Sequence, residues 1–551
     1  MIAFLEKRPL LTIIGVVVVL LFPYLNILEV SIMEARNFIS AREMLTDRNW
    51  ILTTMNGEPR YQKPPLPTWL TALSASVFGL KSLWGLRLPA ALMVMLLGSI
   101  VFTLSRKFTL SKSQSLVNGL IAVTSLYVVL IIFEAPWDIF AHAFMLTGIF
   151  FILKILNAEK NVLRNILLAA IFMGCSILSK GPVSIYALFL PFIISYIVVY
   201  RKTSSSKMWL QCILSIILGL LIGFSWYAYV RYADPITFAR ITSSETGNWT
   251  SYNVRPIYYY WSFFVQSGLW TIPAFVSLFY PYLKSRVLNL NAYQVTWLWT
   301  ILAVILLSII PEKKSRYLMP VLIPLAMNSG FYVDYLIRRF KELKDKREII
   351  PVYFNFGLIG LLFLLFGVFG IISPFIYEDI SWWLIPISLL LVLLAVVLLR
   401  DLIKKNIKTV FALTICSLVV GLHTLGQMQQ TTSFWEDSNM EPSKEFKVHS
   451  FEYFDNVEEL PIYSFDMKSP EMIWASGGTL PIIYDDAKIM LPQEDRFYML
   501  VFETELLEVK EAFQGYEVKY LFTLDLNKVS EDSRSHTKRK KAKVFLIEKS
   551  D

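Results

Sequence analysis

The chain has 551 residues, 55% of them hydrophobic and 15% aromatic, with only 17% charged and a formal net charge of +9. Soluble domains carry about a quarter of charged residues, so this composition excludes an ordinary soluble globule and predicts a polytopic membrane protein. The basic residues cluster beside apolar runs, which is how membrane stop signals look and calls for no nucleic-acid partner.

Apolar stretches of about 18 residues or more, each able to cross a hydrocarbon core of about 30 Å as a helix, recur from Leu10 to Leu425. About thirteen spans are predicted, near 9–30, 87–105, 115–133, 139–157, 164–180, 183–200, 208–230, 257–280, 293–311, 317–337, 351–374, 381–399 and 408–426. Links such as Ser179-Lys180-Gly181-Pro182 leave individual breaks open. The first run is too long for a secretory signal and lacks a small-residue cleavage site, so it reads as a retained anchor. Basic clusters at Arg106, Lys107 and Lys112, at Lys154, Lys160 and Arg164, and at Arg201, Lys202 and Lys207 follow alternate spans and assign those loops to the cytoplasm. The same parity places the N-terminus inside and the tail outside. The expected organisation is a transmembrane domain over 1–429, with a large external loop at 31–86, and a small extracytoplasmic α/β domain over 430–551. Cys175, Cys212 and Cys416 fall inside predicted spans without metal-ligand spacing and read as buried apolar residues.

In the first external loop, "MEARNFISAREMLTDRNW" predicts a short amphipathic helix lying along the membrane surface. Ala35, Phe38, Ile39, Ala41 and Leu45 share one face, with Arg36, Ser40, Glu43 and Asp47 opposite. "NGEPRYQKPPLPTWL" follows. Its Lys63-Pro64-Pro65 ends an extended segment, because proline gives no backbone hydrogen bond and biases its predecessor away from helix. Lys63 is then either a cation aimed at a fixed spot or part of a solvated loop leading into a helix near Thr68.

Farther along, "FEAPWDIF" sets Glu134 and Asp138 in a short external turn. An acid at the membrane interface is expensive unless solvated or paired, which makes Asp138 a candidate functional group; the alternative is an N-cap of the next span. Lys180 in "SKGP" reads as a snorkelling anchor. Arg255 precedes Tyr258, Tyr259, Tyr260 and Trp261, which fit an interfacial aromatic belt. "PEKKSRYLMP" adds Lys313, Lys314 and Arg316 on the side where cations are least expected, so together the external cations predict an anionic ligand at the outer face. In the tail, "LPIYSF", "LPIIYD", "RFYMLVF", "YEVKYLF" and "KAKVFLIE" alternate with helix candidates "SPEMIWA" and "TELLEVKEAF", an α/β pattern. The run Thr537-Lys-Arg-Lys-Lys-Ala-Lys reads as a solvated turn.

Taken in order, "MEARNFISAREML", "NGEPRYQKPPLPTWL", "RLPAAL", the short-loop Asp138, "SKGP" and "KSRYLMP" resemble the aminoarabinose transferase-like branch of the GT-C and protein O-mannosyltransferase glycosyltransferases. The motifs cover roughly residues 1 to 340, and the remainder is similar in architecture only. The resemblance implies transfer of a sugar from a polyprenyl-phosphate donor to a lipid, glycan or protein acceptor on the outer face of the bacterial cytoplasmic membrane, with inversion. It also implies that Glu34 and Asp138 are the acids, that Arg36 and Lys63 contact the carrier phosphate, and that Tyr317, Arg255 and Lys313 belong to the same phosphate site. Where many members have an acid before Glu34, this chain has Met33, whose thioether takes no proton, so that assignment does not carry over. Glu34 either orients cations or acts as base. No nucleotide-binding glycine loop is present, and His142, His423, His449 and His536 are scattered, so neither a nucleotide sugar nor an essential metal is expected. A flippase for an anionic polyprenyl lipid, or an inactive protein binding one, is the alternative; against the former, the chain shows no matched pair of broken-helix repeats.

Overall fold

A computed structural model describes residues 2–200, 205–377, 380–429, 460–466, 469–485, 488–489, 491–502, 513–527, 533 and 536–550. Among them, eight helices are long and apolar enough to cross a membrane, or nine if a bent pair counts as one span, so this is a multi-pass membrane protein. They differ in what surrounds them. Ser206–Ala233 is only 22% buried over its most apolar window, whereas Pro136–Leu156 is 83% buried and forms the axis of the bundle.

Fewer helices pass that test than the thirteen runs expected from hydropathy, and the reasons are local. The bent pair, Lys112–Thr124 and Leu126–Glu134, turns by 43°. Thr124 and Ser125 return their hydroxyls to the carbonyls of Leu120 and Ile121, and Ser125 leaves the helical region at ψ 132; such back-bonding bends helices. The run at 183–200 is interrupted by a π turn, Ile185–Phe189, before Leu190–Val199. The run at 257–280 is no continuous helix. It divides into 3-10 turns, Ile257–Tyr260 and Phe263–Trp270, and a short helix, Thr271–Ser277, with Gly268 at φ 65 where an added Cβ would lie 2.7 Å from that of Leu126. Met319–Arg339 is long enough to span but more polar; it is buried along nearly its whole length, where Asn328 bonds Ser277 and Thr296.

The loop at 31–86 corrects one expectation. Ile32–Thr46 is a helix, opened by a capping box in which Ser31 and Glu34 each satisfy the other's backbone N–H. Its polar side is not solvated but buried along with the apolar one. Glu43 accepts from Thr54 Oγ1 and the Asn56 amide, both at 2.6 Å, and Arg42 donates to the carbonyls of Ile473 and Gly478. The helix is held between its successor, Leu66–Phe78, and a helix from the tail, Pro470–Ala475. Between them a two-stranded hairpin, Thr54–Met55 with Glu58–Pro59, turns on Asn56 and Gly57, whose φ values of 61 and 75 suit an Asn-Gly turn.

The described tail forms a four-stranded sheet. Arg496–Val501 pairs in parallel with Ile462–Ser464 and antiparallel with Lys541–Lys549, which pairs antiparallel with Tyr516–Asp525. All but Phe513 of the helix expected at 504–513, and the start of the tail at 430–459, lie outside the described residues. One face of the sheet joins the loop helix in a common core that includes Phe38, Ile39, Trp474, Leu500 and Val544.

Candidate active site

Asp138 sits in the first turn of Pro136–Leu156, one turn inside the position expected of a cap. The helix starts at Pro136, where a missing N–H costs nothing, and the Asp138 amide donates to the Ala135 carbonyl at 3.0 Å. Its side chain is 2% exposed and forms an ion pair with Lys180. Lys180 therefore is no lone snorkelling anchor. It is the last residue of Val162–Lys180, which packs along the acid-bearing helix and ends on Gly181 at φ 73. One turn below Asp138, His142 lies with Nε2 at 3.9 Å from the carboxylate and Nδ1 at 3.0 Å from the Ser184 hydroxyl.

Above the pair, Lys180 faces the Tyr317 ring at 5.0 Å. The Tyr317 hydroxyl donates to Glu312 at 3.1 Å, and Lys314 donates to the same oxygen at 2.6 Å. Burial pushes the Tyr317 phenol up, and the Glu312 charge adds to that push. The guanidinium of Arg316, half-buried beside Tyr317, has no hydrogen bond or ion pair among the described residues and lies 5.9 Å from the Tyr317 ring.

The loop at 31–86 supplies the other cations. Lys63 keeps 30% of its side-chain surface and stands 3.7 Å from Glu245, too far for a strong bond. Burial pushes its pKa down, while Glu245 and Asp138 oppose that shift and Arg60 adds to it. Arg60 donates to the Arg36 carbonyl at 2.8 Å and lies 5.4 Å above the Trp137 ring. Burial, with Arg36 beside it, lowers its pKa to about 9. The Arg36 guanidinium has no hydrogen bond or ion pair among the described residues, and burial lowers its pKa as well. The indole N–H of Trp137 is buried without a partner. The result is a group of cations around one buried carboxylate, several with donors unspent, which suits a multivalent anion.

The expected site residues divide. Asp138, Lys63, Arg36 and Tyr317 belong to one electrostatic neighbourhood, since Lys63 feels Asp138 and Glu312, Tyr317 feels Asp138, and Arg36 and Tyr317 both feel Arg316. Glu34 faces elsewhere. It is fully buried, and Arg87 grips both of its oxygens at 2.7 and 3.1 Å while donating to the carbonyls of Leu25, Leu28 and Glu29. Burial pushes the Glu34 carboxyl up and Arg87 opposes it. Lys313 is buried and spends its ammonium on the carbonyls of Ile310 at 2.6 Å and Arg255 at 3.1 Å. Arg255 is exposed; its amide donates to the Pro311 carbonyl, and its guanidinium has no bonding partner among the described residues. Sequence reasoning passed over Arg60, Glu312, His142 and the partnership of Lys180. His142 carried a signal, four residues after Asp138 on one helical face. Among the described residues no group of three or more His, Cys, Asp or Glu side chains could hold a metal ion.

Residues 62–227 match the family described as dolichyl-phosphate-mannose-protein mannosyltransferase. Among curated proteins, the chain is 23% identical over 332 residues to the undecaprenyl phosphate-alpha-4-amino-4-deoxy-L-arabinose arabinosyl transferase of Wigglesworthia glossinidia brevipalpis, covering 58% of this chain and 56% of that one. It is 22% identical over 307 residues to an uncharacterised Aquifex aeolicus protein, covering 55% of this chain and 60% of that one. The match thus spans little more than half the length of these relatives. Over the whole chain the structure is similar to the crystal structure of ArnT from Cupriavidus metallidurans bound to undecaprenyl phosphate, with a TM-score of 0.69, 15% identity and 97% of each chain covered. The chain therefore has an ArnT-like GT-C fold.

Proposed function

We propose that this chain is an integral-membrane glycosyltransferase. It takes a sugar from a polyprenyl-phosphate carrier and passes it to a lipid, glycan or protein acceptor at the outer face of a bacterial cytoplasmic membrane, with its N-terminus in the cytoplasm. The observation that carries this reading is the buried Asp138–Lys180 pair, faced by Tyr317, with Lys63 and Arg316 close enough for their charges to act on it. A site with one buried acid and several cations free to bond is what transfer from a phosphate leaving group requires, and the likeness to transferases named for an undecaprenyl-phosphate sugar supports it.

In this reading Lys63, Arg36 and Arg316 hold the carrier phosphate. An acceptor hydroxyl attacks the anomeric carbon from the opposite side, the carbon–oxygen bond to phosphate breaks, and its electron pair leaves on the phosphate. The hydroxyl proton passes to Asp138. Preorganised cations stabilise the charge that builds on the departing group. Lys180, between Asp138 and Tyr317, shares its charge with both the base and the leaving phosphate. Glu34 enters as a positioning residue, because both of its oxygens are bound by Arg87. Lys313 ties the loop that carries Arg316, and Arg255 keeps a guanidinium able to reach an anion.

The test is sugar release from a purified polyprenyl-phosphate sugar, with and without acceptor. Transfer dependent on Asp138 supports the reading. Donor binding without turnover identifies a binding protein, and movement of intact donor across vesicles identifies a flippase.

A further inference from the structure

Glu471 belongs to the short helix Pro470–Ala475 of the tail, yet it is only 3% exposed. Its Oε1 takes two donors from Arg539, at 3.3 and 3.0 Å. Its Oε2 is shut off from solvent and has no hydrogen-bond partner among the described residues. A buried carboxylate that leaves one oxygen unmatched carries a desolvation cost that a nearby charge has to offset.

The helix that carries it is fixed against the loop helix that carries Arg36. The Phe38 and Trp474 rings pack at a tilt with centroids 5.4 Å apart, and Arg42 bonds the carbonyls of Ile473 and Gly478. Arg36 has the complementary defect, a half-buried guanidinium with no bonded acceptor among the described residues. Resting on the function proposed above, we propose that Glu471, clamped by Arg539, is a positioning residue through which the tail domain aims Arg36 at the carrier phosphate.

Arg36 feels the Glu471 carboxylate as its largest favourable charge, against repulsion from Arg539 and Arg316. The two residues make no direct ion pair. A carboxylate bonded to Arg36 would compete with phosphate for its N–H groups; one that attracts it from farther away orients the guanidinium and leaves those donors free. The basic turn at 538–540 is thus more than the solvated feature expected, since Arg539 is spent on holding Glu471.

The experiment measures binding of polyprenyl monophosphate, without sugar, to the full-length protein in nanodiscs. Glu471→Gln is expected to weaken binding roughly tenfold, and Glu471→Asp to recover part of it. Combined with Arg36→Lys the effect should be less than additive, a coupling that loss of general stability would not produce. If Glu471→Gln does not fold, Arg539→Gln, which releases the clamp and keeps the carboxylate, is expected to weaken binding in the same direction. Unchanged affinity in the folded variant, or strict additivity with Arg36→Lys, overturns the proposal alone. Absence of binding by the wild-type chain overturns the functional reading and this inference with it.

Discussion

Asp138 and Lys180 stand 42 residues apart in sequence and form one ion pair, because one helix begins where its packed successor ends. Both are largely withdrawn from solvent, at 2% and 10% exposure, so each neutralises a charge that the site could not otherwise hold. Removing one partner leaves the other buried and unpaired. Lys180→Met is therefore expected to destabilise the protein by about 3–5 kcal/mol. The double variant Asp138→Asn/Lys180→Met should regain much of that stability and none of the activity. Thermal unfolding in detergent and a transfer assay check the two halves separately.

Asp138→Asn alone is expected to lower turnover about a hundredfold or more, the scale of a lost proton acceptor. Donor binding should change much less. Single-turnover transfer measured beside donor affinity separates the two, and turnover within tenfold of wild type removes Asp138 from the role of base.

Lys63 gives a pH prediction. Its folded pKa lies below the ordinary 10.5, so folding disfavours its charged form. The associated stability penalty is present below the folded pKa and disappears as pH rises toward the unfolded value. Donor affinity runs the opposite way: the cation that binds phosphate is lost as pH passes through the lowered pKa, before an ordinary lysine would titrate. Affinity should thus fall on the alkaline side below pH 10.5, and Lys63→Arg should remove that limb. Lys63→Ala should abolish transfer at neutral pH with a melting temperature near wild type, because its contact with Glu245 is weak.

Glu34→Gln is expected to behave as a stability mutant. It leaves Arg87 buried against a neutral partner, a loss of about 3–5 kcal/mol by analogy with other broken buried pairs. A Glu34→Gln/Arg87→Gln double variant that recovers stability and part of the activity supports a positioning role; one that recovers stability and stays inactive assigns Glu34 to the chemistry.

The neighbouring cations Lys313 and Arg316 should separate by function. Lys313→Met removes a buried ammonium's bonds to the carbonyls of Ile310 and Arg255 and is expected to lower the melting temperature. Arg316→Ala breaks no hydrogen bond or ion pair among the described residues and should weaken donor binding while leaving unfolding near wild type. Denaturation and donor titration on the two variants test this directly.

Hydropathy made the membrane bundle legible, and the tail strands appeared where short apolar runs placed them, as in Arg496–Val501 and Lys541–Lys549. The loop helix was legible as a helix but not as a buried one. Its polar residues Arg42 and Glu43 look solvated until partners from residues 473–478 and 54–57 are supplied, and one of those segments is more than four hundred residues away. The same limit hid the partner of Glu34. Arg36 and Lys63 offered themselves as its neighbours in the loop, whereas Arg87 takes it because the helix start faces inward. Lys180 could have been matched to Asp138 from the hairpin alone, since consecutive packed helices bring the end of one to the start of the other.

The side-chain amide of Asn56 both donates to and accepts from the backbone of Leu480, at 2.8 and 2.6 Å. This two-way lock, with the Arg42 bonds and the shared apolar core, makes the tail domain a fixed wall of the site. A swinging door at that place would have to break buried polar bonds at every turnover. In the function proposed above, a large acceptor is expected to enter beside the helix Pro235–Ser251, whose described side chains are largely exposed and from which Glu245 stands 3.7 Å from Lys63. A wall fixed on one side would leave the other to admit and release substrate in the proposed reaction.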